Sequence, residues 1–186
     1  MSSTNRGAKR NESDFYATPA WCVQNLLKAV NLPGGQWLEP AAGDGAIIRA
    51  VNRPDVKWDA WEIRSEEKAV LAPLADVHIG DFTQALLPTS YRYAVAITNP
   101  PFSLAQEFIE KAMYCADHVV MLLRLNYLAS KKRYDFMSKN TPDVYVLPTR
   151  PSFTNGGTDS IEYAWFVWKS GQRNEGIIKI LDPRGT

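Results

Sequence analysis

Asn99-Pro100-Pro101-Phe102 is the stretch of this chain whose residue types point most directly to chemistry. Two consecutive prolines fix the backbone and donate no hydrogen bond, so the loop presents acceptors. The Asn99 side-chain oxygen and the Pro100 carbonyl are held in one orientation. An exocyclic aromatic amine is a poor nucleophile because its lone pair is delocalised into the ring. Acceptors on its N–H groups draw it toward sp³ geometry and aim the lone pair at an electrophile. Phe102 offers a ring on which an extruded base can stack.

Upstream of this loop stand acids at three successive strand ends. The first is the run Leu38-Glu39-Pro40-Ala41-Ala42-Gly43-Asp44-Gly45, where Gly43 and Gly45 suit a tight strand-to-helix turn with close approach of a ligand to the backbone. It lacks the G-x-G-x-x-G spacing that seats a pyrophosphate, and Glu39 and Asp44 repel phosphate. A ligand carrying positive charge suits it better, and S-adenosylmethionine has both a sulfonium and an ammonium. Glu62, followed by Ile63, closes the second strand about twenty residues later, where an acid meets ribose hydroxyls. Asp81-Phe82 closes the third, an acceptor for an adenine amino group beside an apolar ring for the purine.

The elements that must position these residues alternate along the chain. Strands are expected at Trp37-Leu38, Trp58–Ile63, Val77–Ile79, Tyr93–Thr98, His118–Leu125, Asp143–Leu147 and Glu162–Trp168. Helices are expected at Pro19–Val30, Ala46–Val51, Glu66–Leu74, Ser103–Ala116 and Ala129–Lys139, with Thr18 and Ser103 as N-caps. The alternation predicts an α/β fold with a mostly parallel seven-stranded sheet and helices on both faces. Asn155-Gly156-Gly157 suits a hairpin, so the last long strand is expected to run antiparallel. Residues 1–13 read as a flexible polar arm, and 14–186 as a single domain.

Composition excludes little but bounds the partners. The 186 residues contain 45% hydrophobic side chains, enough for a packed core. Net charge is +1, so any nucleic-acid signal is local: Arg124 to Arg150 holds six basic and two acidic residues, among them Lys131, Lys132, Arg133 and Arg150. Cys22 and Cys115 form no metal-ligand spacing, His78 and His118 read as structural, and no metal site is expected. The sequence has neither a signal peptide nor an apolar run long enough for a membrane span, which leads to the expectation of a cytoplasmic protein.

Glu39 to Gly45, Glu62, Asp81-Phe82 and Asn99 to Phe102 resemble the ordered motifs of class I S-adenosylmethionine-dependent amino-methyltransferases. Asn-Pro-Pro-Phe is similar to the loop of adenine-N6 enzymes acting on DNA or RNA. Asp14-Phe15-Tyr16-Ala17-Thr18-Pro19 resembles the cofactor-clamping motif of DNA adenine methyltransferases. Arg150-Pro151-Ser152-Phe153-Thr154 and Glu162 to Trp168 resemble the closing segments of small phage and prophage enzymes of that kind. The resemblance implies the Rossmann-like class I methyltransferase fold. It places Tyr16, Thr18, Pro19, Ala41 and Ile63 with the cofactor residues and Phe153 against the target base. Larger members of that family have a separate target-recognition domain; none is expected within these 186 residues, so Asn126–Arg133 and Pro148–Asp159 are expected to do that work.

The resulting expectation is a DNA adenine-N6 methyltransferase acting by direct in-line transfer, without metal or covalent enzyme intermediate. RNA is the alternative nucleic-acid substrate. A protein glutamine is a third, although such enzymes usually have Tyr where Phe102 stands. A non-catalytic module binding the cofactor or a partner is the fourth, against which the intact Asn99-Pro100-Pro101 speaks.

Overall fold

The computed structural model describes residues 16–87, 90–153, 160–172 and 174–183. The expected arm at 1–13, the motif residues Asp14, Phe15 and Thr154, and the Asn155-Gly156-Gly157 turn lie outside them. Among the described residues the strands are β1 (Gly35–Glu39), β2 (Val56–Glu62), β3 (Asp76–Ile79), β4 (Tyr93–Thr98), β5 (Ala116–Arg124), β6 (Asp143–Val146), β7 (Tyr163–Lys169) and β8 (Ile178–Ile180). They form one sheet in the order β3-β2-β1-β4-β5-β7-β6-β8.

The expected antiparallel strand is β7, which pairs antiparallel with both β5 and β6. The expected count of seven strands is corrected to eight. β8 is only Ile-Lys-Ile and pairs parallel with β6. Its approach is set by Asp143, whose Oδ1 accepts from Gly176 N and Ile177 N while Oδ2 accepts from Asn174 Nδ2. Three residues carry no readable periodicity, so a side-chain bracket specifies this strand.

Alternation along each central strand builds two cores. Trp37, Val95, Ile97, Val120, Leu122, Tyr163, Trp165 and Val167 face one side, where α1 (Ala20–Ala29), α2 (Ala46–Val51) and α3 (Lys68–Leu71) cover them. Leu38, Ala96, Val119, Met121, Leu123, Ala164, Phe166 and Trp168 face the other, under α4 (Ala105–Cys115) and α5 (Tyr134–Lys139). Strands buried on both faces read as continuous apolar runs, as β5 does. Trp165 anchors the first layer: fully buried, it donates Nε1–H to the Cys22 carbonyl of α1 at 2.9 Å.

Helix starts are corrected. α1 begins after Pro19, and Thr18 makes no capping bond; Pro19 lacks an N–H and presets the first turn. α4 follows a 3-10 turn at Phe102–Leu104, with no cap from Ser103. The expected helix at Glu66–Leu74 is a 3-10 turn plus the four residues of α3, ending ahead of Pro73. The one at Ala129–Lys139 is likewise a 3-10 turn, Lys131–Arg133, leading into α5. His118 Nδ1 lies 3.2 Å from the Ala94 carbonyl, a structural contact. His78 is exposed on the edge strand β3, stacked on Trp61 at 4.9 Å.

Candidate active site

In this strand order β1 is flanked by β2 and β4, so the connections leave in opposite directions and open a crevice at the carboxyl ends. A cleft of about 780 Å³, open mouth included, occupies that position. Tyr16, Thr18, Glu39, Ala41, Asp44, Glu62, Ile63, Asp81, Phe82, Asn99 and Pro101 line it. Of the other expected cofactor and loop residues, Pro19, Gly43, Gly45, Pro100 and Phe102 stand outside the lining.

The glycine turn is held by the acid at the end of β2. Gly43 N donates to Glu62 Oε2 at 2.6 Å, and both Gly43 and Gly45 are left-handed, with φ of 56° and 83°. A Cβ on Gly45 would sit 2.9 Å from Leu74 Cδ1 and 3.1 Å from Leu71 Cδ2, so space as well as conformation calls for glycine. Glu62 Oε1 accepts from Arg64 N and Nε at 2.9 and 3.0 Å, and Arg64 also pairs with Glu67. Glu62 is thus fixed by the chain itself, and its carboxylate retains lone-pair capacity for ligand hydroxyls.

Glu39 is the most buried acid of the cleft, 1% exposed, and its Oε2 has no hydrogen-bond partner. Burial pushes its carboxyl well above the usual range; the nearby Thr98 hydroxyl lowers it, and the Asp44 and Glu62 carboxylates add to the rise. An unsatisfied buried carboxylate oxygen is costly, and a cationic ligand relieves that cost. This donor set fits the ammonium of S-adenosylmethionine. Asp44 caps the turn into α2 through Ala46 N and pairs with Arg49 at 3.1 Å, which tempers the negative charge at the rim.

Asp81, in the cleft lining, accepts at Oδ1 from Thr83 N and Thr83 Oγ1. Phe82 is 2% exposed, wedged between Trp61 and Phe108, and forms wall rather than a free ring. Ile63 beside Glu62 is 65% exposed at the mouth.

At the end of β4, Asn99 Nδ2 donates to the Tyr16 carbonyl at 3.3 Å. That bond assigns the amide its orientation: nitrogen toward Tyr16, oxygen Oδ1 left as the acceptor. Around it lies an aromatic cluster. Tyr16 stacks near Phe102 at 6.5 Å and meets Phe153 at 6.0 Å; Tyr163 meets Phe102 at 5.9 Å and Phe153 at 5.0 Å. Phe153, expected against a target base, is therefore brought to the Asn99–Phe102 loop from more than fifty residues away.

The basic residues are less concentrated. Lys131 and Lys132 are exposed. Arg133 lies 4.0 Å above the Tyr127 ring and donates Nε–H to the Tyr127 carbonyl. Arg150 pairs with Glu162 at 2.5 Å. Sequence reading counted Arg124 in the basic stretch without giving it a site role of its own, and gave none to Arg64 or Tyr163. Arg64 has a readable signal, its i,i+3 spacing to Glu67; Arg124 and Tyr163 meet only through β5–β7 pairing. Among the described residues no group of three or more His, Cys, Asp or Glu is placed to hold a metal ion.

The sequence matches no protein-family model and no curated protein. Solved structures do resemble it. The 23S rRNA methyltransferase ErmE gives a TM-score of 0.65 at 13% identity, covering 86% of this chain and 71% of that one. A dimethyladenosine transferase from Plasmodium falciparum gives 0.62 at 13%, covering 83% and 63%. A Listeria monocytogenes protein described as a candidate class I S-adenosylmethionine-dependent methyltransferase gives 0.61 at 14%, covering 89% and 64%. The chain spans less than two thirds of the Plasmodium and Listeria proteins. At these identities the likeness is one of fold, and the fold of this chain is the Rossmann-like fold of class I methyltransferases.

Proposed function

We propose that this protein methylates the exocyclic N6 amine of adenine in DNA, with S-adenosylmethionine as methyl donor. The observation that carries the reading is the Asn99–Tyr16 hydrogen bond, which leaves Asn99 Oδ1 as an oriented acceptor beside the cleft. Glu39 would hold the cofactor ammonium, Glu62 the ribose hydroxyls, and Asp81 with Ile63 and Phe82 the adenine end. When bound, the cofactor supplies a methyl group made electrophilic by its sulfonium. Asn99 Oδ1 and the Pro100 carbonyl accept from the target N–H groups and present the amine lone pair in line. Phe102 and Phe153 offer the apolar surfaces for the target base, and Tyr16 links the two halves of the site. Lys131, Lys132, Arg133 and Arg150 supply a basic flank for the phosphate backbone.

RNA is the second reading, favoured by the fold neighbours: ErmE acts on 23S rRNA, and the Plasmodium enzyme is a dimethyladenosine transferase. Nucleoside mass spectrometry on the DNA and RNA of cells expressing the protein, against cells expressing Asn99→Ala, decides between them. A rise in N6-methyladenine in DNA supports the proposal, and a rise confined to RNA replaces the substrate. A rise in neither pool overturns both and directs attention to a protein glutamine or to a binding role.

A further inference from the structure

The last residue of β5, Arg124, carries a charge that the described chain does not neutralise. Its guanidinium carbon lies 4.2 Å from the centre of the Phe102 ring, and its Nε–H reaches the Tyr163 hydroxyl only at 3.4 Å. It takes part in none of the ion pairs among the described residues, and its two terminal nitrogens have no hydrogen-bond partner there. The carboxylate next along the chain from its cross-strand neighbour Tyr163 is Glu162, which is committed to Arg150. Arg124 is half-buried, so its charge is partly removed from water without compensation.

Two features make this a ligand site rather than a solvated surface charge. The cation–π contact with Phe102 seats the guanidinium over the ring while leaving its terminal N–H groups for a second partner. Parallel pairing of β4 with β5, at Thr98 opposite Met121, also sets Arg124 beside the loop that carries Asn99. An anion joined to a flat ring is the ligand that satisfies a cation and an aromatic wall together. A nucleotide is that ligand, since its phosphate lies one sugar away from its base.

We propose that Arg124 binds the phosphodiester flanking the target adenine by a forked, charge-assisted contact. The inference rests on the adenine-N6 reading above and deepens it, because it requires the acceptor to be a polynucleotide. A glutamine side chain or a free nucleoside brings no such anion. DNA and RNA share the phosphodiester, and the arms of the test include both.

The experiment uses the full chain and oligonucleotides of DNA and RNA that carry the methylated site, each with a single neutral methylphosphonate at one linkage flanking the target. For wild type, neutralising the contacted linkage is expected to raise KM about ten-fold or more, the range of one charge-assisted hydrogen bond. Arg124→Gln should raise KM by a similar factor on the natural oligonucleotide and should respond no further to the methylphosphonate. Its affinity for S-adenosylmethionine should be unchanged, which also reports that it is folded. Arg124→Lys, which keeps charge but not the fork, should retain part of the sensitivity. Should Arg124→Gln fail to fold, undiminished sensitivity in Arg124→Lys overturns the inference.

If the losses from Arg124→Gln and from the methylphosphonate multiply, Arg124 merely props Phe102 and the inference is overturned. If wild type methylates the oligonucleotide and no flanking methylphosphonate matters, the inference fails while the adenine-N6 reading stands. If wild type transfers methyl to neither polynucleotide, the reading itself fails and takes this inference with it.

Discussion

Asn99 Nδ2 lies 3.3 Å from the Tyr16 carbonyl, a hydrogen bond that spans 83 residues and joins the end of β4 to the segment entering α1. It converts a freely rotating amide into an acceptor of known orientation. Asn99→Ala should lower methyl transfer about 100- to 1000-fold, comparable to loss of one preorganised polar group at a reacting centre. Cofactor affinity, read by calorimetry, should stay near wild type. Equal transfer rates in the two proteins would remove Asn99 from the chemistry.

Glu62 ties the glycine turn to the ligand cleft, through Gly43 N on one oxygen and Arg64 on the other. Glu62→Ala should weaken S-adenosylmethionine binding by about ten-fold or more, since it removes a ligand acceptor and unpins the turn. Arg64→Met should have the same sign and a smaller size, because it frees the carboxylate without deleting it. Titration calorimetry on both variants separates the two effects, and an unchanged affinity in Glu62→Ala moves the ribose contact elsewhere.

Burial holds the Glu39 carboxyl well above its usual value of 4.5. In the free protein this residue keeps a proton that the unfolded chain has already released at the same pH. The folded state therefore binds more protons, and this group's contribution to stability falls as pH rises from about 4.5 toward the folded-state value. A bound cation reverses the balance by favouring the carboxylate. Affinity for S-adenosylmethionine should then rise with pH across that window, with proton release on binding. Melting curves and calorimetry in buffers of different ionisation enthalpy test both trends; Glu39→Gln should flatten them.

Phe153 meets Tyr16 and Tyr163 beside the Asn99–Phe102 loop. Phe153→Ala should raise KM for the nucleic acid, by a factor consistent with the loss of one base–aromatic stack of about 1–3 kcal/mol. Cofactor affinity should move little. A loss of cofactor affinity with an unchanged nucleic-acid KM would place this ring on the other side of the site.

Trp165 is fully buried and bonded to the Cys22 carbonyl, so it joins the sheet to α1. Trp165→Phe deletes that hydrogen bond and opens a cavity. Chemical denaturation should show a loss of about 2–4 kcal/mol. A change within half of that range would mean that the layer repacks.

Much of the frame was legible in the chain. Strand runs such as Tyr93–Thr98, with acids or Asn99 at their ends, located the crevice because an α/β sheet gathers its carboxyl ends on one side. Local patterning misplaced the helix starts, since Pro19 presets its turn where a Thr18 cap was expected, and it overlooked β8. It could not show that Trp61 and Phe108 pack around Phe82 where that ring lines the cleft.

Residue order along the chain places acids at the ends of β1 and β2 and after β3, and a proline-locked Asn99 after β4. These are matters of local order, and a strand-to-helix turn places them without help from distant chain. What each group has left to offer is set by the assembled fold. Glu62 holds Gly43, Asn99 turns its amide toward Tyr16, Glu39 keeps an unsatisfied oxygen, and Arg124 meets Phe102 without a counter-charge. Each of those states depends on partners brought from 19 to 83 residues away or from a neighbouring strand. Hydrogen bonds and burial are properties of that assembly, which no local spacing encodes.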